Sequence, residues 1–256
     1  MRKYIEIWKY SIKTKLTFLI NYMASLFSFG IHIFVFNELW DYILQGKTII
    51  GYSKEQLIWY IIVAEFIIYS CETTYKKIAQ MVKQGDIANM LIKPVDVIGY
   101  FITEAMANIV RIIINAIFGV ILGILFAGKI SISPVTIFLF IIASAIGIFT
   151  EFLIQIFIGI MAFFTEENKS FWLVTQKIIF FLVFTPLEFY PSFFQKILLC
   201  LPTSYLIYAP AKIFIGVDVI QAIRLIICEL VSLLIIFIAL KKLYKKGVEN
   251  INVNGG

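Results

Sequence analysis

The chain has 256 residues, of which 61% are hydrophobic and only 15% are charged. A soluble domain has about 45–50% apolar and about 25% charged residues, so this composition excludes an ordinary soluble domain. The net charge of +6 does not indicate nucleic-acid binding, because the lysines lie in short clusters between apolar runs. The composition predicts an all-α integral membrane protein, with residues 1–256 as a single transmembrane domain in contact with membrane lipid.

Residues 1–16 precede the first long apolar run and have an amphipathic pattern. Ile5, Trp8 and Ile12 recur at helical spacing, whereas lysines occupy the other faces. A basic amphipathic helix with a tryptophan is typical of a membrane interface. We therefore predict an N-terminal interfacial helix, and the alternative is a simple extension of the first spanning helix.

Six segments reach the length of about 20 mostly apolar residues that a spanning helix needs. They are Thr17–Trp40, Leu57–Tyr75, Val97–Phe126, Val135–Thr165, Phe171–Phe189 and Val219–Leu240. Lysine and arginine are concentrated on the side of these segments that carries the N-terminus, and basic loops face the cytoplasm. The pattern predicts a multi-pass protein of a bacterial plasma membrane with both termini cytoplasmic.

The segment 76–96, between the second and third predicted spans, predicts a compact helical hairpin outside the membrane. Gly85 can end its first helix, because glycine tolerates the left-handed backbone of a helix end. Asp86 can cap the second helix, and Pro94 disfavours helix at Lys93. The other residues of the predicted surface are apolar or basic: Met81, Lys83, Met90 and Leu91. Such a mixed surface indicates a protein partner.

The segment 186–216, before the last span, is rich in proline. It contains Pro186, Pro191, Pro202 and Pro210, which are four of the six prolines of the chain. The apolar piece Phe193–Leu201 is too short to cross a membrane. Short external helices that re-enter the membrane surface fit this pattern best.

Three stretches of the sequence carry a resemblance to a known family. They are Val82–Val95 with its Lys93–Pro94 pair, Thr185–Pro191 with the following Leu201–Pro202 and Tyr208–Pro210, and the glycine-containing tail Leu243–Gly256. In this order, and with six spans, they resemble the membrane (permease) subunits of type-2 ATP-binding-cassette exporters of the six-helix bacterial branch.

The resemblance implies a transmembrane exporter subunit that is driven by a separate ATP-binding-cassette ATPase subunit, which holds ATP and Mg²⁺. It also implies a second six-helix permease, identical or homologous, with the translocation path between the two copies. The implied coupling residues are Met81, Lys83, Gly85, Asp86, Met90, Leu91, Lys93 and Pro94. The implied path lies along the second and fifth spans, and its candidate residues are Glu65, Phe66, Tyr69, Phe180 and Phe184. Glu151 of the fourth span is a further path candidate because it is an intramembrane carboxylate.

Other functions find less support in the sequence. The near-match to a phosphate-binding loop, Gly123–Ile130, has isoleucine where Ser or Thr would bind Mg²⁺, so we expect no ATPase site, no catalytic residue and no cofactor in this chain. A single histidine and three unpaired cysteines predict no metal site. The intramembrane Glu65, Glu151 and Arg111 leave an ion-coupled secondary transporter as an alternative, although interhelical ion pairs also explain them. A membrane scaffold that transports nothing is the other alternative.

Overall fold

The computed structural model describes residues 2–17, 19–92, 94–130, 132–165 and 168–254, and these residues are almost entirely helical. Two single 3-10 turns, Met161–Phe163 and Leu187–Phe189, accompany the α-helices. The α-helices are α1 (Arg2–Thr17), α2 (Leu19–Leu44), α3 (Lys54–Ser70), α4 (Thr74–Lys83), α5 (Asp86–Leu91), α6 (Val97–Met106), α7 (Ile109–Phe126), α8 (Pro134–Ile160), α9 (Lys169–Phe184), α10 (Ser192–Cys200), α11 (Pro202–Ile215) and α12 (Val219–Asn254).

Five helical segments in the described part of the chain are long and apolar enough to cross a membrane. They are Tyr22–Leu44, Lys54–Lys83, Val97–Phe126, Pro134–Phe163 and Val219–Glu249. A sixth is obtained if α10 and α11, which meet at an angle of 108°, count as one broken span or re-entrant loop. The predicted all-α membrane fold, with a bent helix pair before the last span, is confirmed.

The fifth predicted span is shorter than the sequence suggested. Helix α9 has only 16 residues, which rise about 24 Å at 1.5 Å per residue, against a hydrocarbon core of about 30 Å. The helix ends at Phe184 because Thr185 takes an extended backbone before Pro186, as expected for a residue that precedes proline.

The last helix is longer than predicted, since α12 continues past Leu240 to Asn254. Gly247 lies inside this helix and does not end it. A Cβ atom at Gly247 would lie 2.6 Å from Cδ2 of Phe163, so close packing at this point leaves no room for a larger residue. The last two residues of the tail, at 255 and 256, are outside the described part.

Helix α3 lies at the centre of the bundle, packed against α2, α7, α9 and α11. Small residues allow the helices of the bundle to pack closely against each other. A Cβ atom at Gly123 of α7 would lie 2.0 Å from the ring of Trp59, and one at Gly147 of α8 would lie 2.5 Å from the backbone oxygen of Leu206 in α11. These glycines therefore serve helix packing within the chain.

The bundle has two ends with different composition. At one end, Ile78 of α4 contacts Gly159, and Gly247 of α12 contacts Phe163. We call this the basic end, and it comprises residues 2–17, 72–92, 94–106, 161–165 and 241–254. At the other, Gln56 donates a hydrogen bond to the carbonyl of Ile215 at 3.3 Å. We call this the proline end, and it comprises residues 41–56, 127–130 and 185–218.

Candidate functional site

The predicted hairpin of the basic end is formed by α4 and α5. Helix α4 ends at Lys83, and Gly85 then adopts a left-handed backbone with φ of 77°. Nothing lies within 4 Å of the position that a Cβ atom would take there. Glycine is therefore favoured at this position by the backbone conformation and not by a lack of space. The chain reverses at this glycine, as the sequence predicted.

The predicted capping role of Asp86 is wrong. Gly85 occupies the N-cap position of α5, and no side-chain capping hydrogen bond is formed there. Asp86 is instead the first residue of the helix. Its carboxylate lies in the first turn, where a negative charge interacts favourably with the helix dipole without capping it.

The hairpin has an anchored side and an exposed side. Ile78 and Ile87 are buried, and Met81 and Met90 are half-buried against the core. The sequence predicted these two methionines as contacts for a partner. Part of their surface is instead covered by their own bundle. Lys83, Gly85 and Asp86 are exposed at the tip.

Three further predicted hairpin residues lie at its C-terminal side. Pro94 is exposed, and its carbonyl accepts a hydrogen bond from the ammonium group of Lys3 in α1. Lys93 and the side chain of Leu91 lie outside the described residues. Between them, Ile92 has 84% of its surface exposed. The sequence analysis missed Ile92, although it falls outside the apolar face of Ile87 and Met90 and could have been recognised on that ground.

Four of the predicted path residues meet around His32, which the sequence analysis did not include among the path candidates. Nδ1 of His32 in α2 lies 2.9 Å from a carboxylate oxygen of Glu65 in α3. The His32 ring is 6.3 Å from the ring of Tyr69 and 6.0 Å from that of Phe184. Phe180 packs edge-on against Phe184, with 4.5 Å between the ring centroids. The faces of α2, α3 and α9 thus form one aromatic cluster with a buried carboxylate.

Exposure divides this cluster into inner and outer parts. Glu65 and Phe184 are buried, Phe66 and Tyr69 are half-buried, and Phe180 is exposed on the outer surface of α9. His32 covers the Glu65 carboxylate and keeps 41% of its own side-chain surface exposed.

Glu151 has a different environment from the aromatic cluster. It is buried in α8 and accepts a hydrogen bond from Nε2 of Gln155 at 3.2 Å. Its other carboxylate oxygen has no hydrogen-bond partner among the described residues. The structure therefore does not add Glu151 to the group around His32.

Comparison with known families gives one match, which covers residues 19–255 and identifies an ABC-2 family transporter protein. The chain belongs to the ABC-2 transporter family. The comparison with curated proteins gives no match. Together with the apolar helices, family membership makes the chain a multi-pass transmembrane subunit of an ABC transporter, that is, a permease. Helix α1 precedes the matched region.

Proposed function

We propose that this ABC-2 permease is the transmembrane subunit of an ATP-driven exporter and that its α4–α5 hairpin couples it to a separate ATPase subunit. The observation that carries this proposal is the exposed hairpin tip at the basic end. The tip carries the exposed Lys83 and Asp86, and Ile92, at the C-terminal end of α5, has 84% of its surface exposed. An exposed surface that is partly apolar and partly charged favours a protein partner.

The attachment of the hairpin explains how it could transmit movement. Helix α4 continues the line of the central helix, since Lys54–Lys83 forms one segment of spanning length. Ile78 also locks α4 against Gly159 of α8. A displacement of the tip by an ATPase would therefore reach α3, which carries Glu65, and α8 together.

The proposed orientation places the basic end in the cytoplasm of a bacterial cell, because basic segments next to spanning helices remain on that side. Both termini are then cytoplasmic. Single cysteines at Thr48 and Lys83, in a chain without its three native cysteines, test this orientation. An impermeant reagent added outside the cell should label the first position only, and the reverse labelling would contradict the proposal.

Replacing Gly85 with valine tests the coupling. A β-branched residue cannot adopt φ of 77° without strain, so the tip should rearrange. ATP hydrolysis by the assembled transporter should then no longer drive transport, measured in reconstituted vesicles. Gly46→Val is the matched control, because Gly46 has the same φ of 77° and the same open surroundings at the proline end.

Normal transport by Gly85→Val would contradict the coupling role. Transport that continues without the ATPase would instead favour an ion-coupled transporter, for which the His32–Glu65 pair would be the first residues to examine. Intact insertion of both glycine variants should be confirmed by their yield after extraction in detergent.

We also propose that the working unit contains two such permeases, identical or homologous, with two ATPase domains. Each chain offers one hairpin, and by the family resemblance ATPases of this class act as a pair. The substrate path would lie between the copies, with aromatic groups such as Phe180 and Tyr69 in its wall, which suits an amphipathic or lipophilic substrate. Native mass measurement of the extracted complex should give two permeases, and an ATP-hydrolysing particle with one would contradict this arrangement.

A further inference from the structure

A cavity of about 600 Å³ with a mixed polar and apolar lining lies at the basic end, away from the hairpin tip and the aromatic cluster. Its walls come from α1, from the start of α2, from the junction of α3 and α4, and from the junction of α6 and α7. This volume is within the range of about 300–1,000 Å³ that small-molecule sites occupy. None of the proposed coupling or path residues lines it.

The cavity is positively charged. Three basic side chains face it, Lys15, Lys77 and Arg111, against the two carboxylates of Glu72 and Glu104. Lys15 pairs with Glu72 at 2.5 Å, and Lys77 pairs with Glu104. Arg111 forms no ion pair with any carboxylate in the described ranges and instead lies over the ring of Tyr22, 4.6 Å from its centroid. The net positive charge of the cavity therefore resides at Arg111.

A buried hydrogen-bond donor accompanies this charge. Asn108 lines the cavity with 1% of its surface exposed, and its carbonyl oxygen accepts from Nζ of Lys15 at 2.8 Å. Its amide nitrogen, Nδ2, has no hydrogen-bond partner among the described residues. A buried donor without a partner costs about 1–3 kcal/mol, so an acceptor at this position would be favoured.

The cavity also adjoins the apolar spans. Helix α3 ends at Ser70, just before Glu72, and the apolar span of α2 begins at Tyr22. Charged side chains of the cavity therefore lie next to the apolar surface of the bundle. Tyr10, Tyr22 and Tyr100 line it, and tyrosine is enriched where membrane proteins meet lipid headgroups.

We propose that the cavity binds the phosphate headgroup of an anionic membrane lipid, held by Arg111, Lys15 and Asn108. Phosphate supplies the acceptor that Asn108 lacks and the negative charge that Arg111 lacks. A lipid is favoured over a soluble phosphate because the site adjoins the apolar spans, and basic pockets between membrane helices are suited to anionic headgroups. The choice of leaflet rests on the proposed orientation, whereas the binding itself does not.

Lipid binding to the purified chain tests this site without an ATPase or a transport assay. Native mass measurement in detergent should show phosphatidylglycerol retained in preference to phosphatidylcholine. Arg111→Gln should weaken phosphatidylglycerol binding about fivefold, because one cation near anionic lipid contributes about that factor. Arg224→Gln, a loss of an exposed arginine from α12, is the matched control and should leave binding unchanged.

A second variant tests whether weaker lipid binding by Arg111→Gln comes from the site itself or from altered folding. Asn108→Asp keeps the size of the side chain and the acceptor for Lys15, but it places a negative charge beside the phosphate and should also reduce binding. Equal retention of the two lipids, or equal loss in the Arg224 control, would overturn the proposal. Competition by inorganic phosphate or glycerol phosphate at the same concentration as the lipid would show a soluble-anion site and would overturn the lipid assignment.

Discussion

Each end of the bundle carries a pair of short helices, and the two pairs are packed very differently. At the proline end, α11 contacts α3, α8, α9 and α12, and most of its residues are buried. At the basic end, α4 buries only its first turns, and the tip around Gly85 is exposed. Helix α11 is therefore packed within the bundle, whereas α10 buries no residue and the tip of the α4–α5 hairpin is exposed. The exposure of this tip supports its proposed role as the contact for a partner.

Both ends also contain a Lys–Glu pair, and the two pairs have different surroundings. At the proline end, Glu188 accepts from Lys212 and from Tyr208, each at 2.8 Å. Burial alone would raise the pKa of Glu188, but these two partners hold it below its ordinary value. At the basic end, Lys15 pairs with Glu72 at 2.5 Å, and 45% of the Glu72 side chain is exposed. The Glu188–Lys212 pair of the proline end is thus more buried than the Lys15–Glu72 pair of the basic end.

The largest effect on stability is expected where α11 is packed most closely. Gly147→Ala would bring a Cβ atom to 2.5 Å from the backbone oxygen of Leu206, so α8 and α11 must separate. Overpacking of this kind costs about 1–3 kcal/mol, and we expect the upper end because a backbone atom must move. Thermal unfolding in detergent should show a clear decrease in Tm.

Gly30→Ala is the control for that substitution. Gly30 is also within a helix, but its nearest neighbour would be 3.6 Å from the new Cβ atom, an ordinary contact. Alanine is favoured over glycine in a helix by up to about 1 kcal/mol, so this variant should be as stable as the parent or slightly more so. Equal behaviour of the two variants would mean that α11 is not held as closely as the structure indicates.

A smaller effect is expected from Lys212→Met at the proline end. It leaves Glu188 partly buried with Tyr208 as its remaining donor. The cost should be about 2 kcal/mol, between that of an exposed pair and that of a fully buried one. Lys15→Met at the basic end should cost less, because Glu72 is more exposed.

The pH dependence of Tm provides a second measurement on the same variant. Because the pKa of Glu188 is lower in the folded protein, its contribution to stability is present above the unfolded value of about 4.3 and is lost as the pH falls through the folded value. The difference in Tm between parent and Lys212→Met should therefore be large at pH 7 and should shrink below about pH 4. A difference that is independent of pH would contradict the role of the ion pair.

The sequence predicted the class of fold well, because apolar runs and clusters of lysine are direct consequences of a membrane environment. It also located the turn at Gly85, where a single residue type satisfies the backbone. It was less successful at helix ends. The end of α9 follows from Thr185 before a proline, a local signal that the predicted span Phe171–Phe189 did not take into account. The extension of α12 to Asn254 depends instead on packing between Gly247 and Phe163, and a contact between distant segments leaves little trace in a local pattern.

The candidate site shows the same limit. Glu65, Tyr69, Phe180 and Phe184 could be selected as polar or aromatic residues of two spans, but their meeting at His32 depends on how α2, α3 and α9 are arranged. The charged cavity was not predicted, because its basic residues come from three helices that are distant in the sequence. Asp86 was misassigned because a glycine in the left-handed conformation takes the cap position itself.

The smallest effect on stability is expected from Asp86→Lys at the hairpin tip. Asp86 is exposed and caps nothing, so the reversal loses only the favourable interaction of a negative charge with the first turn of α5, at most about 1 kcal/mol. Tm should therefore stay close to that of the parent, while ATP-driven transport by the assembled complex should fall because the surface presented to the ATPase has changed sign. Lys47→Glu, an exposed charge reversal at the proline end, should alter neither. A loss of stability as large as that of Lys212→Met would mean that the tip is part of the packed bundle, and the contrast between the two ends would then fail.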